Sequence, residues 1–183
     1  IRDIGVTGVQ DVCSSDLARD AQGRRRGNAF AQKAVEESGA ALAIIDDAEL
    51  AKMLENADAY WLCEDTEATL QALGAYHRQQ MRSLRVIAIG GSNGKTTTKE
   101  LLHATLSQRY NCFATVGNLN NHLGLPLCLL MLREEHELAI IEIGANHLHE
   151  TALLARLAAP QFGIVTNCGK DHLGEYGSIE NII

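Results

Sequence analysis

Long apolar runs, paired cysteines and a surplus of positive charge are all missing from this 183-residue chain. A membrane-spanning helix needs roughly 20 consecutive apolar residues. The longest apolar run, LGLPLCLLML at 123–132, is far shorter and reads as a buried helix, so no membrane insertion is expected. The five cysteines, Cys13, Cys63, Cys112, Cys128 and Cys168, are scattered with no C-x-x-C pair. That spacing argues against a disulfide framework or a zinc site, and a reducing cytoplasm is the expected setting. Four of the five fall in or beside predicted strands and core helices, where a free thiol behaves as a small hydrophobe. The formal net charge of -7 leaves no positive surface for nonspecific nucleic-acid binding, so no nucleic-acid partner is expected. What is present, 46% hydrophobic and 21% charged residues, suits a soluble globular protein of one or two modest domains.

The first 17 residues, IRDIGVTGVQDVCSSDL, carry no clear period, no capped helix and no signal-peptide layout. Their parts VTGVQ and DVCSSDL resemble conceptual translations of a sequencing-library adapter read in two frames. The alternative is a divergent N-terminal strand and turn. Residues 1–17 are therefore set aside from functional reading, and the basic cluster of ARDAQGRRRG (18–27) also sits in no periodic pattern. From Gly27 the chain becomes regular. NAFAQKAVEESGA places Phe30, Ala34 and Val35 on one helical face, with Asn28 as N-cap and Gly39 as stop. ALAIID and AYWLC read as short strands around a helix in DAELAKMLENA. DTEATLQALGAYHRQQM then starts a longer helix at an Asp65 or Thr66 cap, with Leu70, Leu73 and His77 at helical spacing. Residues 18–82 thus form a small α/β domain with no catalytic cluster.

A second unit begins near Ser83. RVIAIG is a strand, KTTTKELLHATLSQRY a helix, CFAT a strand, and LPLCLLML a helix with Pro126 near its start. LAIIEIG is a strand apolar on both faces, HETALLARLA a helix, and FGIVTN another two-faced strand. Continuously apolar strands alternating with helices predict a parallel sheet covered on both sides. Ligands of such sheets bind outside the carboxyl ends of the strands. The unusual polar loops, at 90–95, 116–122, 143–147 and 167–177, all fall at those ends.

The first of these loops lies in IGGSNGKTTTKE (89–100). It is shorter than the common phosphate loop G-x-x-x-x-G-K-[ST], which would need a glycine where Ile89 stands. Strand, glycine-rich turn and helix still follow in the order a phosphate site requires. Gly91 and Gly94 free the backbone N–H groups of 91–97, through Ser92, Asn93 and Thr97, to close around phosphate oxygens at a helix N-terminus. Lys95 would reach the β and γ phosphates and the Thr96 hydroxyl would ligate Mg²⁺. A structural turn capped by threonines is the bland alternative.

Glu142 ends the otherwise apolar AIIEIG, where a carboxylate is unfavourable unless paired or metal-bound. A strand-end acid beside a phosphate loop holds magnesium directly or through water. His172 lies in GKDHLGEYGS, and spacing leaves a surface role and a metal-binding role equally open. GNLNNH carries Asn118, Asn120 and Asn121, which serve either as turn formers or as donors to a polar substrate. In GANH (144–147), Asn146 is open to the same two readings, including a plain helix cap.

Together these motifs resemble the Mur ligase family. Its short phosphate loop G-[TS]-x-G-K-[TS]-[TS] is matched by GSNGKTT at 91–97. Within that family, GNLNN at 117–121 and EIGANH at 142–147 are similar to the branch that adds D-alanyl-D-alanine. Ligases adding alanine, glutamate or diaminopimelate, and folate polyglutamate ligases, differ at both places. GNAFAQKAVEESGAALAIIDD is similar to the N-terminal domain of that branch, and the resemblance covers about residues 27–183. It implies an α/β fold in which a truncated UDP-substrate-binding domain (18–82) precedes the first part of a P-loop, parallel-sheet central ATPase domain (83–183). It implies ATP and Mg²⁺ as cofactors, with Lys95 on the phosphates, Thr96 on magnesium, and Glu142 and His172 serving the metals. Asn120 and Asn121 would lie near substrate and the γ phosphate. The implied substrates are UDP-N-acetylmuramoyl-tripeptide and D-alanyl-D-alanine, joined through an acyl phosphate. A folylpolyglutamate or cyanophycin type of amide ligase, or a nucleotide-binding module without ligase chemistry, are the competing readings.

The family's modified (carbamylated) lysine lies a short way past the position of His172. The chain reaches Ile183 without a candidate, since Lys170 precedes the histidine. The remaining ATPase and C-terminal parts of the family pattern are likewise absent from these 183 residues. The purified 183-residue chain is therefore expected to release no phosphate in an assay with ATP, UDP-N-acetylmuramoyl-tripeptide and D-alanyl-D-alanine. Robust release would overturn that expectation.

Overall fold

The computed structural model describes residues 28, 30–54, 57–145 and 149–169. The adapter-like 1–17, the basic cluster at 18–27, Asn146, His147, Lys170 and His172 lie outside the described residues. Backbone contacts divide the chain into two units, with the break after Thr69.

The first unit contains α1 (Ala31–Glu36), β1 (Ala43–Ile45), α2 (Ala48–Met53), a single 3-10 turn at Ala57–Ala59 and β2 (Tyr60–Leu62). β1 and β2 run parallel, with Ala43 opposite Tyr60. Gly39, at φ +72°, ends α1 as expected, and Ala40 N–H bonds back to Ala34 O at 2.9 Å. Asn28, however, does not cap α1, which opens at Phe30 without a side-chain cap. Its carboxamide is drawn instead to the Asp46 carboxylate just after β1, a charged acceptor, by a 2.6 Å bond from Nδ2 to Oδ1. Because the helix starts only at Ala31, Phe30 precedes its first turn and stays half exposed, while Ala31 is buried. The other Asp46 oxygen accepts the Thr66 hydroxyl at 2.9 Å and the Thr66 N–H at 3.2 Å. Thr66 is thereby engaged elsewhere, and Asp65 is the residue that caps α3 (Thr66–Gln80), accepting Ala68 N–H at 2.9 Å.

The unit boundary falls within α3, so most of that helix belongs to the second unit. There follow β3 (Arg85–Gly90), α4 (Lys95–Leu106), β4 (Cys112–Ala114), α5 (Gly124–Leu130), β5 (Leu138–Glu142), α6 (Glu150–Ala158) and β6 (Phe162–Val165). The strands form one parallel sheet in the order β4-β5-β3-β6. Every residue of β5 is buried, which explains why LAIIE lacks the polar alternation of a half-exposed strand. Val86 and Ala88 of β3 and Ala139 and Ile141 of β5 cluster with Leu125 and Leu129 of α5 and Leu154 and Ala158 of α6. No α4 residue joins that cluster, and α4 packs against β3, β4 and β5 from the opposite face. Burying a leucine such as Leu129 or Leu154 contributes about 1.5–3 kcal/mol, so this face anchors the sheet.

β6 departs from its sequence pattern. FGIV reads as a strand covered on both faces, yet Phe162 is 57% and Val165 68% exposed. β6 is an edge strand, paired among the described residues only with β3. Among the described residues, α6 packs on β3.

Arg78 ties α3 to this unit. The side chain is 5% exposed, and burial lowers its pKa from the ordinary arginine value. Its guanidinium donates to Ala158 O (3.1 Å), Met81 O (3.1 Å), Ala159 O (3.2 Å) and Leu84 O (3.4 Å). One side chain therefore satisfies the carbonyls at the end of α6 and in the turn that feeds β3. One turn earlier, Gly74 permits close approach to α5, since a Cβ there would meet the Pro126 Cα at 2.9 Å. Arg78→Met keeps the aliphatic stem and leaves those carbonyls without a donor. Urea unfolding is expected to show a loss of about 2–4 kcal/mol, and an unchanged midpoint would contradict this role.

Candidate functional site at the carboxyl edge of the sheet

The loop between β3 and α4 takes its shape from two glycines. Gly91 has φ +118° and Gly94 φ +83°, values that strain any residue bearing a Cβ. A Cβ on Gly91 would also run into the Thr166 hydroxyl and the Asn167 carbonyl oxygen. α4 begins immediately, its first bond joining Thr98 N–H to Gly94 O at 2.9 Å. The N–H groups of Gly94, Lys95, Thr96 and Thr97 therefore open the helix without helical acceptors and present its positive dipole end. Lys95 folds back on the loop, with Nζ 2.7 Å from Gly91 O and 2.9 Å from Ser92 O. A cation and a helix N-terminus thus meet at one short turn, an arrangement suited to phosphate.

β5 brings an acid to the same place. Its register sets Glu142 opposite Ile89, two residues before Gly91. Glu142 is 3% exposed. Its Oε2 accepts the Thr96 hydroxyl at 3.0 Å and its Oε1 accepts the Asn120 amide at 2.8 Å. Its own N–H donates to the Thr115 hydroxyl at 2.8 Å. Lys99, 2% exposed, donates to Thr115 O at 2.9 Å and pairs with the exposed Glu100 at 3.0 Å. Among the described residues the Glu142 carboxylate is held only by neutral donors, an unfavourable state for a buried charge.

That state is a test of whether a cation fits. The Thr96 hydroxyl and Glu142 carboxylate are hard oxygen donors, already adjacent, as Mg²⁺ prefers. Among the described residues no group of three or more His, Cys, Asp and Glu gathers as a full ligand cage. Mg²⁺ needs none, because it usually retains waters and takes phosphate oxygens. The residues present fit that ion.

The asparagine loop divides in its geometry. Asn120 reaches Glu142, and its carbonyl accepts Gly144 N–H at 2.8 Å, tying the ends of β4 and β5 together. The Asn121 carboxamide oxygen accepts Gly124 N–H at 2.8 Å and Leu123 N–H at 3.1 Å, shaping the entry to α5. Asn118 is exposed, and its carbonyl accepts Asn120 N–H at 2.8 Å. Next to them His122 Nδ1 lies 2.9 Å from the buried Glu150 carboxylate. The structure thus joins Lys95, Thr96, Asn120 and Glu142 around one turn, with Asn118 and Asn121 in the adjoining loop.

Sequence reasoning missed Thr115, Thr166 and Asn167. The first sits after β4 and supports Glu142. The other two follow β6, whose pairing of Gly90 with Val165 carries them alongside the phosphate loop. The signal was available: in a parallel sheet, polar residues after a strand adjoin the loop after its neighbour.

Comparison with known proteins gives a consistent picture. A model of the Mur ligase middle domain matches residues 89–183. A UDP-N-acetylmuramoyl-tripeptide–D-alanyl-D-alanine ligase of Bacillus subtilis (strain 168) is 41% identical over 156 residues, which are 85% of this chain and 33% of that protein. The ligase of the same name from Escherichia coli (strain K12) is 42% identical over 121 residues, 66% of this chain and 26% of that protein. Among solved structures, MurF from Acinetobacter baumannii superposes with a TM-score of 0.77 at 40% identity, covering 85% of this chain and 33% of that one. MurF ligase from Thermotoga maritima in complex with ADP gives 0.75 at 32% identity, covering 85% and 35%. The chain spans about a third of the length of the Bacillus subtilis relative.

The support beneath Glu142 has a direct test. Thr115→Val keeps the side-chain shape but strands the buried Glu142 N–H. It is expected to lower stability by about 1–3 kcal/mol in urea unfolding, with Thr115→Ser recovering most of the loss. Equal midpoints for all three proteins would contradict the contact's importance.

Proposed function

This chain belongs to the Mur ligase family, and from that premise we propose that it carries the nucleotide- and metal-binding part of an ATP-dependent amide ligase. Its substrates on this reading are UDP-N-acetylmuramoyl-tripeptide and D-alanyl-D-alanine, and its product serves peptidoglycan synthesis. Relatives bearing that ligase name, at 41% and 42% identity, support the choice of substrates. The observation that carries the mechanism is the Thr96 hydroxyl 3.0 Å from the buried Glu142 carboxylate, at the first turn of α4.

The reaction begins when the terminal carboxylate of the tripeptide attacks the γ phosphorus of ATP, forming an acyl phosphate and releasing ADP. The amine of D-alanyl-D-alanine then attacks the acyl carbon, inorganic phosphate leaves, and the amine proton passes to solvent. The protein's work is positioning and charge compensation. Gly91, Ser92, Asn93 and Gly94 form the turn. The N–H groups of Ser92 and Asn93 are taken by Asn167, so those of Gly94, Lys95, Thr96 and Thr97, with the Lys95 ammonium, face the phosphate oxygens. Moving onto phosphate would exchange Lys95's two neutral carbonyl acceptors for a charged one, a stronger bond. Thr96 and Glu142 would hold Mg²⁺, with His172 serving the metals from beyond the described residues. Bound there, the ion supplies positive charge to the phosphate oxygens. Asn120, already fixing one Glu142 oxygen, orients that carboxylate, and Asn118 and Asn121 line the loop facing substrate. The break after Thr69 lies earlier than the expected 82/83 boundary, so we assign the unit ending at Thr69 to a UDP-substrate domain and the unit from Leu70 to the ATPase domain, acting in the cytoplasm, where ATP is supplied.

Titration of a fluorescent ADP analogue tests the nucleotide site. Lys95→Ala is expected to weaken binding about 10- to 100-fold. EDTA is expected to weaken binding to the unaltered chain but to have little further effect on Glu142→Gln, since the metal's protein carboxylate is already gone. Undiminished EDTA sensitivity in Glu142→Gln would contradict the metal assignment. For the substrates, the product of the complete gene is expected to form ADP with UDP-N-acetylmuramoyl-tripeptide and D-alanyl-D-alanine and not with folate substrates.

A further inference from the structure

The phosphate loop is held from its far side by the segment that follows β6. Ser92 N–H donates to Asn167 O at 3.0 Å, and Asn93 N–H donates to Asn167 Oδ1, also at 3.0 Å. The Asn93 carbonyl accepts Asn167 Nδ2 at 2.9 Å and the Thr166 hydroxyl at 2.7 Å. Gly169 N–H closes the contact by donating to Ser92 Oγ at 2.7 Å. A single carboxamide, on an exposed residue, thus engages both the N–H and the C=O of Asn93.

We propose that Asn167, aided by Thr166, is a positioning residue that pre-forms the phosphate loop and selects which backbone N–H groups meet the nucleotide. The inference rests on the nucleotide reading above. Its physical content lies in where each donor goes. The N–H groups of Ser92 and Asn93 are occupied by Asn167 and turned away from any ligand. Those of Gly94, Lys95, Thr96 and Thr97 are left for phosphate. The shorter loop therefore binds anions chiefly through the helix end, and its first half serves as a fixed wall. Fixing that wall beforehand removes conformational entropy that ligand binding would otherwise have to overcome. Gly91 is part of the same device, because the Thr166 hydroxyl and Asn167 carbonyl occupy the space a Cβ would need.

Neither Thr166 nor Asn167 touches the nucleotide on this account, so the test needs readouts beyond affinity. In nucleotide-free protein, Asn167→Ala is expected to raise hydrogen exchange at Asn93 N–H about tenfold or more, since its acceptor is gone. The same variant is expected to weaken binding of a fluorescent ADP analogue with Mg²⁺ about tenfold. Thr166→Val, equal in shape but without the donor, is expected to weaken binding similarly, and Thr166→Ser to restore it. That pair carries the test if Asn167→Ala does not fold. Unchanged exchange and unchanged affinity in Asn167→Ala and Thr166→Val, with binding lost in Lys95→Ala, would overturn the clamp and leave the nucleotide site standing. Binding retained in Lys95→Ala would overturn the nucleotide reading, and exchange at Asn93 would then decide the clamp alone.

Discussion

The buried carboxylate of Glu142 is the constraint around which the second unit is arranged. It lies at 3% exposure at the end of a strand with every residue buried, where an unpaired charge is strongly disfavoured. Two segments converge to hold it: α4 through Thr96, and the loop after β4 through Asn120 at the carboxylate and Thr115 at the backbone N–H. Each is a carboxyl-edge element of a different crossover in one parallel sheet. The strand order β4-β5-β3-β6 puts β5 beside β3, and that adjacency delivers Glu142 to the phosphate loop. Neutral donors orient the carboxylate without cancelling its charge, which leaves it able to take a cation.

The same sheet supports the loop from its other side. β6 pairs with β3 opposite β5, so the loop after β3 is flanked by the ends of both neighbours. One flank brings the Glu142 carboxylate, and the other brings Thr166 and Asn167 to grip the loop backbone. Residues remote from this edge keep the geometry fixed. Arg78 satisfies the carbonyls around the start of β3 and the end of α6, and the leucines of α5 and α6 press on one sheet face.

The legible part of this arrangement was whatever local chemistry determines. Helix and strand alternation followed from apolar runs and punctuation, and GSNGKTT announced itself because few sequences place two glycines and a lysine between a strand and a helix. Glu142 was legible as an acid in an apolar strand. Pairings set by sheet order were not legible, because sequence does not state which strands are neighbours. Thr166 and Asn167 looked like an ordinary strand end until β6 stood beside β3. Asn28 reads as a helix cap by position, but the Asp46 carboxylate, distant in sequence, offers its side chain a stronger partner. Phe162 and Val165 read as core and lie on an edge, since an apolar run records what a strand can bury rather than what covers it.

On the proposed reading, Thr96 and Glu142 hold the metal that accompanies a nucleotide on the short phosphate loop, and Asn120 fixes the carboxylate beside it. Paramagnetic Mn²⁺ in place of Mg²⁺ locates that ion, through nuclear magnetic resonance of the chain with ADP. Selective broadening of the backbone signals of Thr96, Asn120 and Glu142 is expected, appearing with ADP and removed by excess Mg²⁺. Broadening centred elsewhere, or no broadening at these residues when ADP is bound, would contradict that reading.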